Sequence, residues 1–398
     1  MKLKINFKKS IFLLIFLSIF FSHNLLLFAK IPPDSTAHLA KVINRYEAFF
    51  REIMEDWDIP GAAVAIIKDD KIVYIKGRGI HEVGQHKKVD IHTIFRLASV
   101  SKGFASVLTG LLVEDGILRW DDKVVKYLPE FSLKNKKVTS NLTIRHILSH
   151  SSGLPAHTFT NLLEEDIPLS DIYLKLKDVS PIAPAGKVYS YQNVLYSLIG
   201  DIIKSATGKG YEELVTERIF LPLGMYDTSL GKESFVKSTN HTMPHIRQNF
   251  EWTTTDVKKA YYTVSPSAGV NASILDMARW LRAMMGGSPE IISSKVIQQV
   301  IKPAVKTPQE KRKYRWRDRL HDAHYGLGWR IYDYAATKIV YHGGWVEGFR
   351  AEIGFIPDEK IGIAVLLNCE SMVANLFLPT FFDMYLNLDE IESIHSDY

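Results

Sequence analysis

The sequence contains only one cysteine, Cys369, among 398 residues. Because a disulfide needs two cysteines, none can form within a single chain. The fold must therefore be held by its hydrophobic core, and a hydrophobic content of 46% is sufficient for one large core or two packed lobes. Cys369 lies in an apolar, strand-like run, which indicates a core position rather than a nucleophile.

A membrane-spanning run is also missing from the N-terminal region. Polar residues 22–24 interrupt the apolar stretch Ile11–Phe28. Its apolar core is therefore about eleven residues long, whereas a spanning helix needs ~20. Four lysines precede the stretch and the small Ala29 follows it. This pattern predicts a cleaved export signal over residues 1–29, with a retained membrane anchor as the alternative.

A large excess of charge of one sign is lacking as well. The formal net charge of +5 falls to +1 without residues 1–29, which hold four lysines and no acidic residue. The charge balance therefore does not indicate a nucleic-acid partner. The densest basic run, Lys311–Arg319, is predicted to be a solvated loop at the rim of a cleft. Contact between this run and a membrane or an acidic cell-envelope polymer is the alternative.

Convincing metal-binding patterns are absent from the sequence. The run His81–His86 resembles a zinc helix, but its second histidine stands one residue beyond the spacing that such helices need. His146 and His150 have i, i+4 spacing, yet no third ligand is evident, and both are predicted to have hydrogen-bonding roles. The sequence therefore predicts neither a metal site nor a cofactor.

What the sequence does contain is strand patterns near both ends and helical patterns between them. Three hairpins are predicted: Gly61–Ile67 with Lys71–Lys76, Tyr325–Tyr332 with Lys338–Tyr341, and Ala351–Ile356 with Ile361–Asn368. The chain is thus predicted to have an α+β fold, with an antiparallel sheet flanked by helices and an inserted, mostly helical lobe. The predicted domain covers residues 36–388, with a sheet lobe at about 36–120 and 286–388 and a helical lobe at about 121–285.

The run Ser99-Val100-Ser101-Lys102 carries the clearest chemical signal. Apolar residues after it recur at helical spacing, so Ser99 is predicted to lie at or near a helix N-terminus. Lys102 is one turn further along, on the same face of the helix. A buried lysine with a lowered pKa can accept the serine hydroxyl proton, which makes the serine a nucleophile.

Two further motifs follow in order, Tyr191-Gln192-Asn193 and His342-Gly343-Gly344. With these three motifs the chain resembles the serine hydrolases that include class C β-lactamases, D-alanyl-D-alanine carboxypeptidases and related esterases. Further similar stretches are Leu142–Leu154, Pro184–Asn193 and Ala268–Trp280. The resemblance covers roughly Arg45 to Phe382 and implies the fold of the β-lactamases and transpeptidases.

The resemblance also implies roles for these residues. Ser99 attacks a carbonyl group to form an acyl-enzyme, and Lys102 shares its proton. The Tyr191 phenol, held near a lysine cation, is expected to lose its proton readily and to act as general base. Asn193 is expected to orient Lys102 and a substrate amide.

The third motif is expected to lie on an inner strand beside the substrate. His342, Gly343 and Gly344 are predicted to bind or orient the substrate, because glycine lets backbone approach a ligand closely. The backbone amides of Ser99 and Trp345 are implied to form the oxyanion hole.

One departure from the family pattern bears on the substrate. Many of these β-lactamases carry Lys-Thr-Gly or Lys-Ser-Gly at the third motif, where this chain has histidine. Lysine is a constant cation, whereas much of a histidine population is neutral near pH 7. The prediction is therefore an exported serine hydrolase of the bacterial periplasm or cell envelope, acting on a D-alanyl peptide or a small ester. A β-lactamase and a non-catalytic peptidoglycan-binding protein are the alternatives.

Overall fold

The computed structural model describes residues 35–313, 316 and 319–388. The predicted export signal lies outside the described residues. None of the described helices combines the length and the apolar character that crossing a bilayer requires. The architecture below is that of the compact unit that begins at Tyr46.

Most strands lie near the two ends of the described chain and most helices lie between them, as in an α+β fold. The helices are α1 Ser35–Asp56, α2 Ser101–Glu114, α3 Val124–Tyr127, α4 Lys136–Asn141, α5 Ile144–Leu148, α6 Thr160–Glu164, α7 Leu169–Lys175, α8 Asn193–Thr207, α9 Tyr211–Val215, α10 Lys232–Lys237, α11 Ser265–Ala268, α12 Ile274–Met284, α13 Ser294–Val300 and α14 Ala374–Tyr385. The strands are β1 Gly61–Lys68, β2 Lys71–Gly79, β3 Ile94–Arg96, β4 Ser229–Leu230, β5 His245–Gln248, β6 Glu251–Thr254, β7 Val270–Ser273, β8 Val305–Lys306, β9 Leu320–Tyr325, β10 Arg330–Tyr334, β11 Thr337–Val346, β12 Phe349–Ile356 and β13 Ile361–Leu367. Short 3-10 turns lie at Ala98–Val100, Leu176–Asp178, Ala260–Tyr262 and Pro308–Arg312, and a π-helical turn lies at Thr216–Phe220.

Within the described residues, eight strands form one antiparallel sheet in the order β2-β1-β13-β12-β11-β10-β9-β8. Helices cover both faces of its centre. A Cβ atom at Gly354 would lie 3.0 Å from Leu378 of α14, and one at Gly362 would lie 3.0 Å from Leu281 of α12. Because both faces are covered, β1 and β13 are continuous apolar runs rather than alternating ones.

The Ser99 segment is carried by a helix that is buried on nearly every side. Residues 101–112 of α2 are all buried, and its Phe104 ring stacks on Trp280 of α12 with ring centroids 4.1 Å apart. A Cβ atom at Gly103 would lie only 2.7 Å from the Trp329 ring, so this position requires glycine. A helix surrounded in this way is held rigidly, and so is the serine that precedes it.

The predicted α+β class and its antiparallel sheet are confirmed. The first and last hairpins lie where the sequence predicts them, but the predicted single strand over 325–332 is wrong. Strand β9 ends at Tyr325 and β10 begins at Arg330, because the chain turns at Gly328, whose φ is +76°. The bounds of the two lobes stay a prediction.

The basic run Lys311–Arg319 is anchored to the fold at its described residues. Trp316 is 2% exposed and packs edge-on against Tyr332, with ring centroids 5.1 Å apart. Lys313 forms an ion pair with the buried Glu310 at 2.6 Å. The prediction of a solvated loop is therefore wrong for Trp316, whereas Lys313 remains partly exposed, and contact with a membrane or the cell envelope stays a prediction.

Candidate active site

Ser99 lies in a tight turn that feeds directly into helix α2. The preceding Ala98 has a φ of +47°, a left-handed conformation that a residue with a side chain rarely adopts. The 3-10 turn Ala98–Val100 then joins α2. Strain of this kind is typical of functional sites, where the surrounding structure holds it in place. The turn leaves the Ser99 side chain half-buried at the wall of a cavity.

Lys102 lies one turn further on, fully buried, and its amine contacts three oxygen atoms. Lys102 Nζ is 3.2 Å from Ser99 Oγ, 2.8 Å from Asn193 Oδ1 and 2.9 Å from the carbonyl oxygen of Ser267. Burial lowers the pKa of Lys102 well below its usual range, and the nearby Arg330 cation lowers it further. Lys102 is therefore placed to act as a neutral amine at a lower pH than an exposed lysine.

Tyr191 reaches the same serine from the other side of the cavity. It lies just before helix α8, and its phenol donates a hydrogen bond of 2.8 Å to Ser99 Oγ. Burial raises the pKa of Tyr191 to about 12, in spite of the opposing effect of Arg330. The expectation that this phenol loses its proton readily is therefore wrong in direction. A buried amine that is neutral supplies no cation to stabilise the phenolate.

The two glycines of the third motif lie where strand β11 passes the Ser99 turn. A Cβ atom at Gly344 would collide with the carbonyl oxygen of Leu97 and would lie 3.2 Å from Ser99 N. A Cβ atom at Gly343 would lie 2.9 Å from the Glu352 carboxylate. The absence of a side chain at Gly344 therefore lets β11 approach the serine backbone closely, and its absence at Gly343 leaves room for the Glu352 carboxylate. The exposed Trp345 follows at the mouth of the cavity.

His342 occupies a different position from the one predicted. Its side chain is 1% exposed and is not among those that line the cavity. His342 Nε2 lies 2.9 Å from the Tyr325 hydroxyl and 3.4 Å from Arg330 Nη1. Burial lowers the pKa of His342 well below its usual range, and the Arg330 cation lowers it further. The ring is thus a buried neutral partner of two other side chains, and the prediction that it touches substrate is corrected.

The cavity beside Ser99 has a volume of about 910 Å³. Its wall combines aromatic side chains with charged groups of both signs. The charged side chains that line it are Glu164, Glu310, Lys313, Arg330, Arg350 and Glu352. A space of this size and polarity suits a small peptide or ester with charged or polar ends.

Arg330 is the functional candidate that the sequence analysis missed. It lines the cavity, and its guanidinium carbon lies 5.8 Å from the centre of the Tyr191 ring. Arg330 Nε is 3.2 Å from the carboxylate of Glu310. Burial alone would raise the pKa of Glu310, but the Arg330 and Lys313 cations lower it to about 2. No local sequence motif marks Arg330, which reaches the site only through the pairing of β10 with β11.

Groups that bind metals are not assembled in the part of the chain that the structure describes. No set of three or more His, Cys, Asp or Glu side chains in those residues is placed to hold an ion. His81 instead lies 3.2 Å from the Thr93 hydroxyl. His146 caps the start of helix α5, where its Nδ1 accepts from the Thr143 backbone N–H at 3.3 Å.

Comparison with solved structures places this geometry among known folds. The octameric penicillin-binding protein homologue from Pyrococcus abyssi superposes with a TM-score of 0.78 at 28% sequence identity, covering 87% of this chain and 77% of that one. The expected resemblance to β-lactamases and transpeptidases is thereby confirmed at the level of the fold.

Curated relatives match most of this chain. The unguisins hydrolase ungD of Aspergillus violaceofuscus is 29% identical over 354 residues, covering 80% of this chain and 60% of that protein. Protein flp of Staphylococcus aureus is 26% identical over 319 residues, covering 79% of this chain and 60% of that protein. The chain thus spans about three fifths of the length of these relatives. The Beta-lactamase family model matches residues 46–376, and the chain therefore belongs to the Beta-lactamase family.

Proposed function

We propose that this protein is a serine hydrolase that cleaves amide or ester bonds through an acyl-enzyme on Ser99. The observation that carries the proposal is the hydrogen-bond chain at the serine. The Tyr191 phenol donates to Ser99 Oγ at 2.8 Å, and Lys102 Nζ lies 3.2 Å from the same oxygen. A nucleophile within hydrogen-bond reach of a base, with the base itself held in place, is the arrangement that activates serine.

The contacts of Lys102 indicate the direction of proton transfer. A neutral amine has two N–H donors and one lone pair. The Ser267 carbonyl oxygen and Asn193 Oδ1 can only accept hydrogen bonds, so they use both donors. The lone pair is then left for the Ser99 hydroxyl. As Ser99 Oγ forms a bond to the substrate carbonyl carbon, its proton passes to Lys102 Nζ. The bond from that carbon to the leaving nitrogen or oxygen then breaks as the buried ammonium gives this proton to the leaving group, and water afterwards hydrolyses the ester on Ser99.

The charge that develops on the substrate oxygen needs donors of its own. We propose the backbone amides of Ser99 and Trp345 for this role, as the family resemblance implies. The close approach of Gly344 to Leu97 and Ser99 N supports the assignment, since both amides then lie near the serine. Each such donor is commonly worth ~3 kcal/mol in the transition state.

The substrate proposed is a D-alanyl peptide or a small ester. The cations Arg330 and Lys313 line the same cavity as Ser99, and the carboxylate at the end of a peptide is a suitable partner for them. The neutral His342 cannot supply this charge. The relatives include a protein named as a hydrolase and a penicillin-binding protein homologue, and these names support a hydrolytic activity.

Export to the bacterial periplasm or cell envelope is part of the same proposal. The lysines, the apolar run and Ala29 within residues 1–29 support it. Basic side chains of the run Lys311–Arg319 are proposed to contact the membrane or another acidic envelope component.

The test is intact-protein mass spectrometry after exposure to a panel of esters, D-alanyl peptides and penicillins. We expect an acyl adduct on the wild type and none on Ser99→Ala. Ser101→Ala is the matched control, because it removes a neighbouring serine hydroxyl that is not expected to be acylated. The Ser101 hydroxyl is buried and accepts from the Val270 backbone N–H at 3.0 Å. Equal adduct formation on wild type and Ser99→Ala would overturn the proposal, and turnover of penicillin alone would favour a β-lactamase.

A further inference from the structure

His150 contacts the chain around Tyr191 in three ways. The Ser190 backbone N–H donates to the His150 carbonyl oxygen at 2.7 Å. The Gln192 backbone N–H donates to His150 Nδ1 at 3.1 Å. The imidazole also packs on the Tyr191 ring, with centroids 4.2 Å apart. One residue therefore holds both neighbours of the tyrosine and its ring.

The backbone of His150 is shaped for this contact. Helix α5 ends at Leu148, and His150 then adopts a left-handed conformation with a φ of +53°. Non-glycine residues adopt this conformation rarely, and asparagine and histidine do so more readily than most. The side chain that results is 1% exposed and is not among those that line the cavity. His150 therefore lies behind the tyrosine and does not touch substrate.

The protonation state of His150 agrees with its hydrogen bond. Burial lowers the pKa of His150 well below its usual range, and the nearby Arg330 cation lowers it further. The ring is thus neutral, and because Nδ1 accepts from Gln192, the proton is on Nε2. Among the described residues Nε2 has no hydrogen-bond partner. A buried N–H without a partner is a cost to stability.

We propose that His150 is a positioning residue that holds the Tyr191 phenol on Ser99 Oγ. The inference rests on the proposed function, because it assigns His150 a role only if Ser99 is acylated. His150 acts through Tyr191 and takes no proton from the substrate. Its loss is expected to lower the rate constant of acylation and to leave the dissociation constant of the noncovalent substrate complex nearly unchanged.

Two substitutions separate the contacts of His150. His150→Asn keeps an acceptor near the Nδ1 position and tolerates the left-handed backbone, but it removes the ring. His150→Phe keeps a ring and removes the acceptor. His146→Asn is the matched control. His146 also accepts a hydrogen bond from backbone at helix α5, but in the part of the chain that the structure describes its ring forms no hydrogen bond or ring contact with Tyr191. Thermal unfolding of each variant reports on folding, and His150→Asn carries the test if His150→Phe does not fold.

The decisive readout is a double-mutant cycle with Tyr191→Phe. The burst rate of p-nitrophenyl acetate cleavage reports the acylation step. We expect His150→Asn to lower this rate about tenfold in the wild-type background and less than about twofold in Tyr191→Phe, because residues that act as a unit are not additive. We expect His146→Asn to change the rate less than about twofold in either background.

Two results, one from this cycle and one from the Ser99→Ala variant, would contradict different claims. An equal fold-loss from His150→Asn in both backgrounds would overturn the positioning role and leave the proposed function standing. A burst that persists in Ser99→Ala would overturn the proposed function instead.

Discussion

At the scale of single residues, the site depends on how burial shifts the pKa values of two ionisable groups in opposite directions. Burial disfavours the charged form of each group, so it lowers the pKa of Lys102 and raises that of Tyr191 to about 12. Of the two groups, the amine is therefore the one that is more readily present in its basic form, and we propose that the phenol acts as a donor that orients the serine. This assignment reverses the emphasis of the sequence analysis, in which Tyr191 was the base.

Arg330 gives a prediction about substrate choice. Arg330→Gln removes the cation beside the cavity and with it the proposed partner of a substrate carboxylate. For a peptide ending in D-alanyl-D-alanine, kcat/KM should therefore fall at least about tenfold more than it does for the same peptide with a C-terminal amide. Steady-state kinetics on the two peptides measures the difference. Arg312→Gln is the control, because Arg312 is exposed. Equal losses on both peptides would contradict a role in carboxylate recognition.

Residues differ in how far sequence alone reveals their roles. Ser99, Lys102, Tyr191 and Asn193 belong to short motifs, and the structure brings these four side chains together. Arg330 belongs to no motif, because its position depends on the register between two strands. The orientation of the His342 ring is also set by its neighbours, and the motif carries no information about it.

At the scale of elements, the contact between strand β11 and the Ser99 turn determines whether the proposed oxyanion site can form. Strand β11 is central in the sheet, paired with β10 and β12. Helix α2 holds the other side of the contact through its buried length. Neither element can shift without disturbing the core, so the approach of the two backbones is fixed.

Gly344→Ala tests that contact. The added methyl group would meet the Leu97 carbonyl oxygen and push β11 away from Ser99. We expect kcat to fall by about 10² or more, the usual effect of losing an oxyanion donor. Gly210→Ala is the matched control, because Gly210 has a φ of −69° and a Cβ there would meet only the Glu212 carboxylate at 3.9 Å. Wild-type kcat in Gly344→Ala would contradict the account.

Elements were predictable where local patterning determines them. The continuous apolar run of β1 and the alternation after it predicted the first hairpin, and the turn at Pro357–Lys360 predicted the last one. The break between β9 and β10 was not predicted. That turn is required by packing, since a Cβ atom at Gly328 would lie 2.7 Å from the carbonyl oxygen of Lys102, a contact between residues far apart in the chain.

At the scale of the whole molecule, buried histidines make stability depend on pH. Six histidines in the described residues have pKa values lowered mainly by burial, namely His81, His146, His150, His157, His245 and His342. Below their ordinary pKa of 6.5 the unfolded chain binds more protons than the folded one. The free energy of unfolding therefore decreases as the pH falls below about 6.5.

Urea unfolding between pH 7 and pH 5 checks this sign. Each histidine contributes up to about 1.4 kcal/mol per pH unit, so the unfolding midpoint should fall steeply in this range. The dependence should be shallower in His342→Asn and unchanged in His86→Asn, where the histidine is exposed. A midpoint that is constant or rises towards pH 5 would contradict the buried neutral state. Glu310, with a pKa of about 2, acts at lower pH.

The central claim is that Lys102 is a neutral amine able to take the Ser99 proton. The most direct measurement is an NMR pH titration of the protein carrying ¹³C-labelled lysine, with Lys102→Met to assign the resonance. We predict one lysine signal that titrates well below the ordinary value of 10.5 and that is absent from Lys102→Met. A Lys102 signal that titrates at 10.5 or above would contradict the account.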